Sequence, residues 1–253
     1  MGASCSIQAF NKGIQVHHDI SRRVAKNRYF TWHGPTIVDM YAKMGMLEKA
    51  KEVFELLPVQ NIASWNALIT GYARNDLGDL VLKSFRRMQD AGVSPDAVTY
   101  TCILKACGSV GLLQKGEYIH AGIHKRGSLR NNVLLGNALV DMYVKCGALA
   151  RAREVFEKLP VRDVVSWNAL ISGYSKMQNG KEALKCFSQM KLEGLFPNSF
   201  TYVCGMRACN MIQDAIKGQE IHAQISRRGL IGSSLLVGNA LVDMYAKCGL
   251  LGK

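Results

Sequence analysis

Apolar residues in this chain recur at helical spacing and stop at regular punctuation. Between positions 133 and 163, Leu135, Leu139, Met142 and Cys146 share one face of a helix. Leu149, Ala152, Phe156 and Leu159 share one face of a second. Gly147 lies between the two as a C-cap and turn, and Pro160 ends the second helix. Two short amphipathic helices cannot cover both apolar stripes alone. Stacked copies of the pair can, so the pattern predicts an all-α solenoid of helix–turn–helix units.

The pattern repeats along the chain. NALVDMYVKCG (137–147) returns as NALVDMYAKCG (239–249), with ten of eleven residues the same, 102 positions later. Trp65 returns as Trp167, Pro58 as Pro160, Pro95 as Pro197 and His120 as His222, each after 102 positions. SWNALITGYAR (64–74), SWNALISGYSK (166–176) and GNALVDMYVK (136–145) are variants of one segment, so the long period subdivides. Aligned on the shared asparagine, the units are 31 residues (31–61, 133–163), 35 residues (62–96, 164–198) and 36 residues (97–132, 199–234) long. Residues 1–30 and 235–253 read as partial units. A fixed internal period of this kind marks a stacked repeat array.

Composition narrows the partners. Lysine and arginine number 32 against 19 acidic residues, a net charge of +13. That excess favours a polyanion, nucleic acid first and an anionic membrane surface second. No run of 18 apolar residues is present, so no membrane span is predicted. Eight cysteines include no CxxC pair. Cys102/Cys204, Cys107/Cys209 and Cys146/Cys248 recur at the repeat interval, as packing residues do, and are expected to be buried free thiols of a reduced compartment. The H-x-E and P-C-x-x-C of zinc deaminases are absent, as is a glycine-rich phosphate loop, so these residues are not expected to form an enzyme or to need a cofactor or metal. His17, His120 and His222 fall at equivalent places in second helices and read as packing or solvent-facing residues. The opening MGASCS fits a myristoylation pattern, but Ala3 and Cys5 align with the Ala–Cys of KACGSV and RACNMI and read as repeat.

WNALISGY, VDMYAKCG, AREVF and the closing P-D or P-N, in units of 35, 36 and 31 residues, resemble the pentatricopeptide repeat family and within it the plant PLS subclass. The resemblance covers essentially the whole chain. It implies a partial L repeat at 1–30, S at 31–61, P at 62–96, L at 97–132, S at 133–163, P at 164–198, L at 199–234 and a partial S repeat at 235–253, a fragment lacking both ends. The implied fold is a right-handed α-solenoid whose first helices line the concave side. The implied partner is single-stranded organellar RNA, in mitochondrion or plastid.

Asn137 lies two residues from Leu135, about 200° round an ideal helix, and is expected to point away from the packed stripe and to matter little for stability. Asp141 and Lys145 follow on a similar face; Asn66 with Arg74 and Asn168 with Lys176 share the arrangement. An amide can bond a base edge, and a cation two turns on can sit near phosphate. The competing reading of these asparagines is helix capping. The resemblance implies that the fifth and last residues of a unit read one base together. Asn66/Asp96 and Asn137/Asp163 then prefer uracil, and Asn168/Asn198 prefers a pyrimidine. Thr101/Asn132 is nominally an adenine pair, Val203/Ser234 reads nothing, Asn239 has no partner, and Pro35 breaks the pattern opposite Asn61. By the same resemblance, RNA running parallel to the chain would read 5′-U-N-U-Y-3′ from the unit 62–96 to the unit 164–198.

The resemblance also implies base-sandwiching by the second residues Val98, Leu134, Val165, Phe200 and Leu236, with Ala63 too small to do so well; ordinary core is the alternative. The thirteenth residues Lys43, Arg74, Lys145, Lys176 and Lys247 are expected to contact phosphate, with a solvated face as the alternative. The expected task is to specify a site for C-to-U editing, with editing cofactor proteins or a deaminase supplied by a further domain or in trans. A splicing, stability or translation factor, and a tetratricopeptide-like protein scaffold, are the alternatives.

Overall fold

The computed structural model describes residues 29–125, 132–232 and 234–249. The partial unit before Tyr29, with MGASCS, Cys5 and His17, lies outside them. Thirteen α-helices and no strand occur among the described residues. They are α1 (Tyr29–Lys43), α2 (Leu47–Glu55), α3 (Ile62–Arg74), α4 (Gly78–Asp90), α5 (Ala97–Val110), α6 (Leu113–Lys125), α7 (Val133–Lys145), α8 (Leu149–Glu157), α9 (Val164–Lys176), α10 (Gly180–Leu192), α11 (Ser199–Ile212), α12 (Ala215–Arg227) and α13 (Leu235–Lys247). Helices α3, α5, α7, α9, α11 and α13 start at the first residues of the units drawn from the sequence.

The chain divides into two compact bodies, one ending at Ala106 and the other beginning at Cys107. In the first, α1 and α3 pack side by side, with α2 and α4 behind them. In the second, α7, α9, α11 and α13 pack in succession. First helices thus form one layer in each body, and the other helices cover it.

The sequence sets these elements by punctuation. At the end of α7, Gly147 adopts a φ of 77°, which a side chain resists. There the Ala148 N–H donates to the Tyr143 carbonyl at 2.9 Å and the Gly147 N–H to Val144 at 3.0 Å, closing the helix as a Schellman motif. The glycine of the SGY segment serves packing instead. A Cβ on Gly173 would stand 2.7 Å from Val144, so a side chain there would push α9 off α7.

The largest buried side chains link adjacent units. Phe54 meets Trp65 edge-on at 4.5 Å in the first body, and Phe156 meets Trp167 at 4.5 Å in the second. Five of the described cysteines are buried and two half-buried, all as free thiols. Burial pushes the thiols of Cys107 and Cys186 up to about 11 and that of Cys209 to about 12, so they stay protonated and inert.

Candidate nucleic-acid interface

The fifth and last residues of three units are joined side chain to side chain. In the first body, Asn66 Nδ2 donates to both carboxylate oxygens of Asp96, at 3.0 and 2.9 Å. In the second body, Asn137 Nδ2 donates to both oxygens of Asp163 at 3.1 Å. Asn168 Nδ2 donates to Asn198 Oδ1 at 3.3 Å.

The capping reading falls on the other member of each pair. Asn66, Asn137 and Asn168 sit inside their helices, one turn from the start. It is the last residue of each of these three units that caps the next helix. Asp96 accepts from Thr99 N at 2.9 Å, Asp163 from Ser166 N at 2.8 Å and Asn198 from Thr201 N at 3.0 Å. One side chain therefore both starts a helix and orients the amide of the preceding unit.

One geometric expectation fails. Asn137 does not stand clear of the packed face; it is only 8% exposed. The helical wheel counts α7 alone, whereas Leu135 to Val140 and Met142 to Val144 are all buried, so α7 is covered on several sides. Substitutions at Asn137 therefore cost stability. Asn66 and Asn168 are half-buried, and Asn239 on α13 is exposed.

Thr101 is buried and donates to the Ala97 carbonyl at 2.7 Å, so its hydroxyl serves its own helix. Asn132 caps α7 through Leu135 N at 3.0 Å. Pro35 lies within α1, and its would-be partner Asn61 caps α3. Val203 is half-buried, and Ser234 makes no side-chain cap bond.

The second-position residues are not core. Val98, Leu134, Val165, Phe200 and Leu236 are 46% to 63% exposed, three places before the fifth position on their helices. Ala63 is exposed as well. Large apolar side chains held in water at a repeating position are available to flank a ligand.

The cations divide into two groups. Lys43, Lys145 and Lys247 pair with Asp39 (2.5 Å), Asp141 (2.8 Å) and Asp243 (2.9 Å) one turn earlier. Arg74 and Lys176 are exposed and form no ion pair among the described residues; Thr70 and Ser172 stand where the aspartates would be.

Sequence reasoning missed the third residue of each following unit, Thr99, Ser166 and Thr201, which bonds the cap residue at every pair. Its signal was present: Asp or Asn followed three places later by Ser or Thr is a reciprocal capping pattern. The two histidines also have a definite partner. His120 and His222 place Nδ1 2.9 and 2.8 Å from the hydroxyls of Tyr143 and Tyr245. Burial, then His124, Lys158 and Arg151, lower the His120 pKa, which favours the neutral ring.

These elements define an all-α helical-repeat solenoid. The family description "PPR repeat family" fits residues 60–109 and 162–210, and "PPR repeat" fits 36–62, 98–128 and 137–164, together well over half of the chain. The chain belongs to the pentatricopeptide repeat family. A pentatricopeptide repeat-containing protein of Arabidopsis thaliana, named as chloroplastic, is 38% identical over 99% of this chain and 40% of its own length. A second, named as mitochondrial, is 37% identical over 94% of this chain and 23% of its own. The chain thus spans less than half of either relative. The crystal structure of PPR10 in complex with an 18-nt psaJ RNA element matches the fold with a TM-score of 0.78 at 18% identity, covering 95% of this chain and 36% of that one. PPR10 from maize matches at a TM-score of 0.62 and 25% identity, over 84% of this chain and 31% of that one.

Proposed function

We propose that the chain binds single-stranded RNA with sequence selectivity, one base at each joined pair. The observation that carries this reading is the recurring set of three: an amide fixed by a neighbouring carboxylate or amide, an exposed apolar residue three positions before it, and a cation two turns beyond. An amide on a base edge, an apolar flank against the ring and a cation on phosphate are the contacts a single strand needs. The net charge of +13 supports a polyanionic partner. A peptide groove would not call for the same amide–carboxylate pair at every boundary.

The finer reading follows the PLS-like unit lengths: placement of a mitochondrial or plastid transcript for C-to-U editing. The deaminase would belong to another segment or another protein. The names of the relatives support an organelle. The test is binding of a short labelled RNA containing 5′-U-N-U-Y-3′ beside one with purines at those positions. The first should bind tighter, and the affinity of both should fall as salt rises. Equal binding of both would overturn base selectivity, and no salt dependence would overturn the RNA reading.

A further inference from the structure

Leu192 and Phe196 depart from the repeat. They stand in water at and just after the end of α10, 87% and 72% exposed. At the matching places 102 positions earlier the chain has Asp90 and Ser94. Phe196 borders a groove of about 280 Å³ in the second body, between the loop that follows α10 and the end of α12. Leu195 and Tyr202 add apolar wall, and Lys191, Arg227 and Arg228 add three cations. No carboxylate lines the groove among the described residues. Glu193, beside it in sequence, is engaged elsewhere, by Arg162 at 2.7 Å and by Trp167 Nε1 at 3.2 Å. Arg228 is held in place: its guanidinium lies 4.9 Å over the Phe196 ring, and Nη1 donates to the Pro197 carbonyl at 3.1 Å. The remaining N–H groups of its five-donor fork are left for a ligand.

We propose that this groove docks a short acidic segment of a second protein, with a carboxylate on Arg228 and an apolar side chain against Phe196 and Leu192. Size and chemistry select this occupant. Small-molecule pockets run from about 300 to 1,000 Å³, so a groove of about 280 Å³ takes a few side chains rather than a whole cofactor. Three cations without a carboxylate among them attract negative charge. RNA would bring that charge, but bases stack on aromatic or guanidinium planes, and Leu192 offers neither. The paired asparagines also stand on first helices, whereas Lys191, Leu192, Arg227 and Arg228 come from the ends of second helices. An arginine beside an aromatic ring is the kind of anchor that carries most of the energy of a protein interface. The proposal does not depend on base reading, so either can fail alone.

Anisotropy titrations of the full chain with a labelled peptide, Glu-Asp-Leu-Phe-Asp-Glu, test this. A second peptide with serine in place of leucine and phenylalanine reads the general attraction of a chain of net charge +13. The first should bind several-fold tighter than the second. Phe196→Ser and Leu192→Ser change no charge, and both side chains are exposed, so the fold should hold; melting temperatures check it. Each should lower affinity for the first peptide several-fold and leave affinity for a short RNA unchanged. Arg228→Gln should weaken binding of both peptides; where it also lowers the melting temperature, the two serine variants decide. A first peptide that does not bind, or that binds no tighter than the second, overturns the proposal. So does a peptide affinity that neither serine variant moves. Loss of RNA affinity in those variants, with peptide binding intact, would overturn it too and give the groove to nucleic acid.

Discussion

The Asn66 cluster of the first body and the Asn137 cluster of the second have the same two residues in the same places. Each asparagine donates to both oxygens of an aspartate, and each aspartate caps the next helix. Their surroundings differ. Asn66 is half-buried and satisfied at its oxygen by Thr99; Asn137 is buried and unsatisfied. The tryptophans that follow the units' third residues also differ. Trp167 Nε1 donates to Glu193 at 3.2 Å, while Trp65 has Ala91 at the matching place and a buried, unpartnered Nε1 under the Arg87 guanidinium. Identical pairs thus sit in environments of different cost, because the neighbours that complete them belong to the next unit.

The largest contrast should appear on removing the caps. Asp163→Ala loses the cap of α9 and strands a buried amide, costing about 2–4 kcal/mol. Asp96→Ala loses a cap beside an amide that water can reach, costing about 1–2 kcal/mol. Denaturant melts of the two variants compare them, and equal losses would show that the burial of Asn137 is energetically idle. Next come the cations. Arg74→Ala with Lys176→Ala should weaken binding of every RNA about tenfold and reduce the salt slope by about 1.4, since each single-strand phosphate contact contributes about 0.7. Anisotropy titrations over a range of salt read both quantities, and an unchanged slope would place these side chains off the RNA. Freeing a paired lysine should act in the opposite sense. Asp141→Asn releases Lys145 and should tighten binding about two- to threefold at low salt, an effect that fades as salt screens it. No gain would mean that Lys145 does not face the strand. The smallest effect concerns the tryptophans. Ala91→Glu should give Trp65 the acceptor that Trp167 has and raise stability by about 0.5–1 kcal/mol, read as a higher melting temperature. A fall would mean that the Arg87 stacking already suffices.

Much of this was legible in the chain. Gly147, Pro160 and the apolar spacing mark helix ends because turn and stop chemistry is local. The pairing of fifth and last residues came with the family resemblance that the recurring segments carry; that the paired side chains bond each other did not. The burial of Asn137 was not, since a helical wheel contains one helix and burial depends on its neighbours. The division of the cations was half-visible: Asp141 stands four residues before Lys145 in the sequence, but only the 2.8 Å contact shows that the two charges meet. The choice made by Thr99 and Ser166 hinges on which way a hydroxyl turns, and residue type alone leaves that open.

Base reading by the amide–carboxylate pair is tested most directly at Asp163. Asp163→Asn keeps the helix cap, as Asn198 does for α11, and keeps an oxygen for Asn137 Nδ2. Stability should hold while the pair becomes the Asn/Asn type. Binding of two RNAs differing only as uracil or cytosine opposite this unit would be measured for the unaltered chain and the variant. Base reading predicts a clear uracil preference in the first and a ratio several-fold closer to unity in the second. The same ratio in both proteins would contradict it and leave the Asn137–Asp163 contact as a joint of the fold alone.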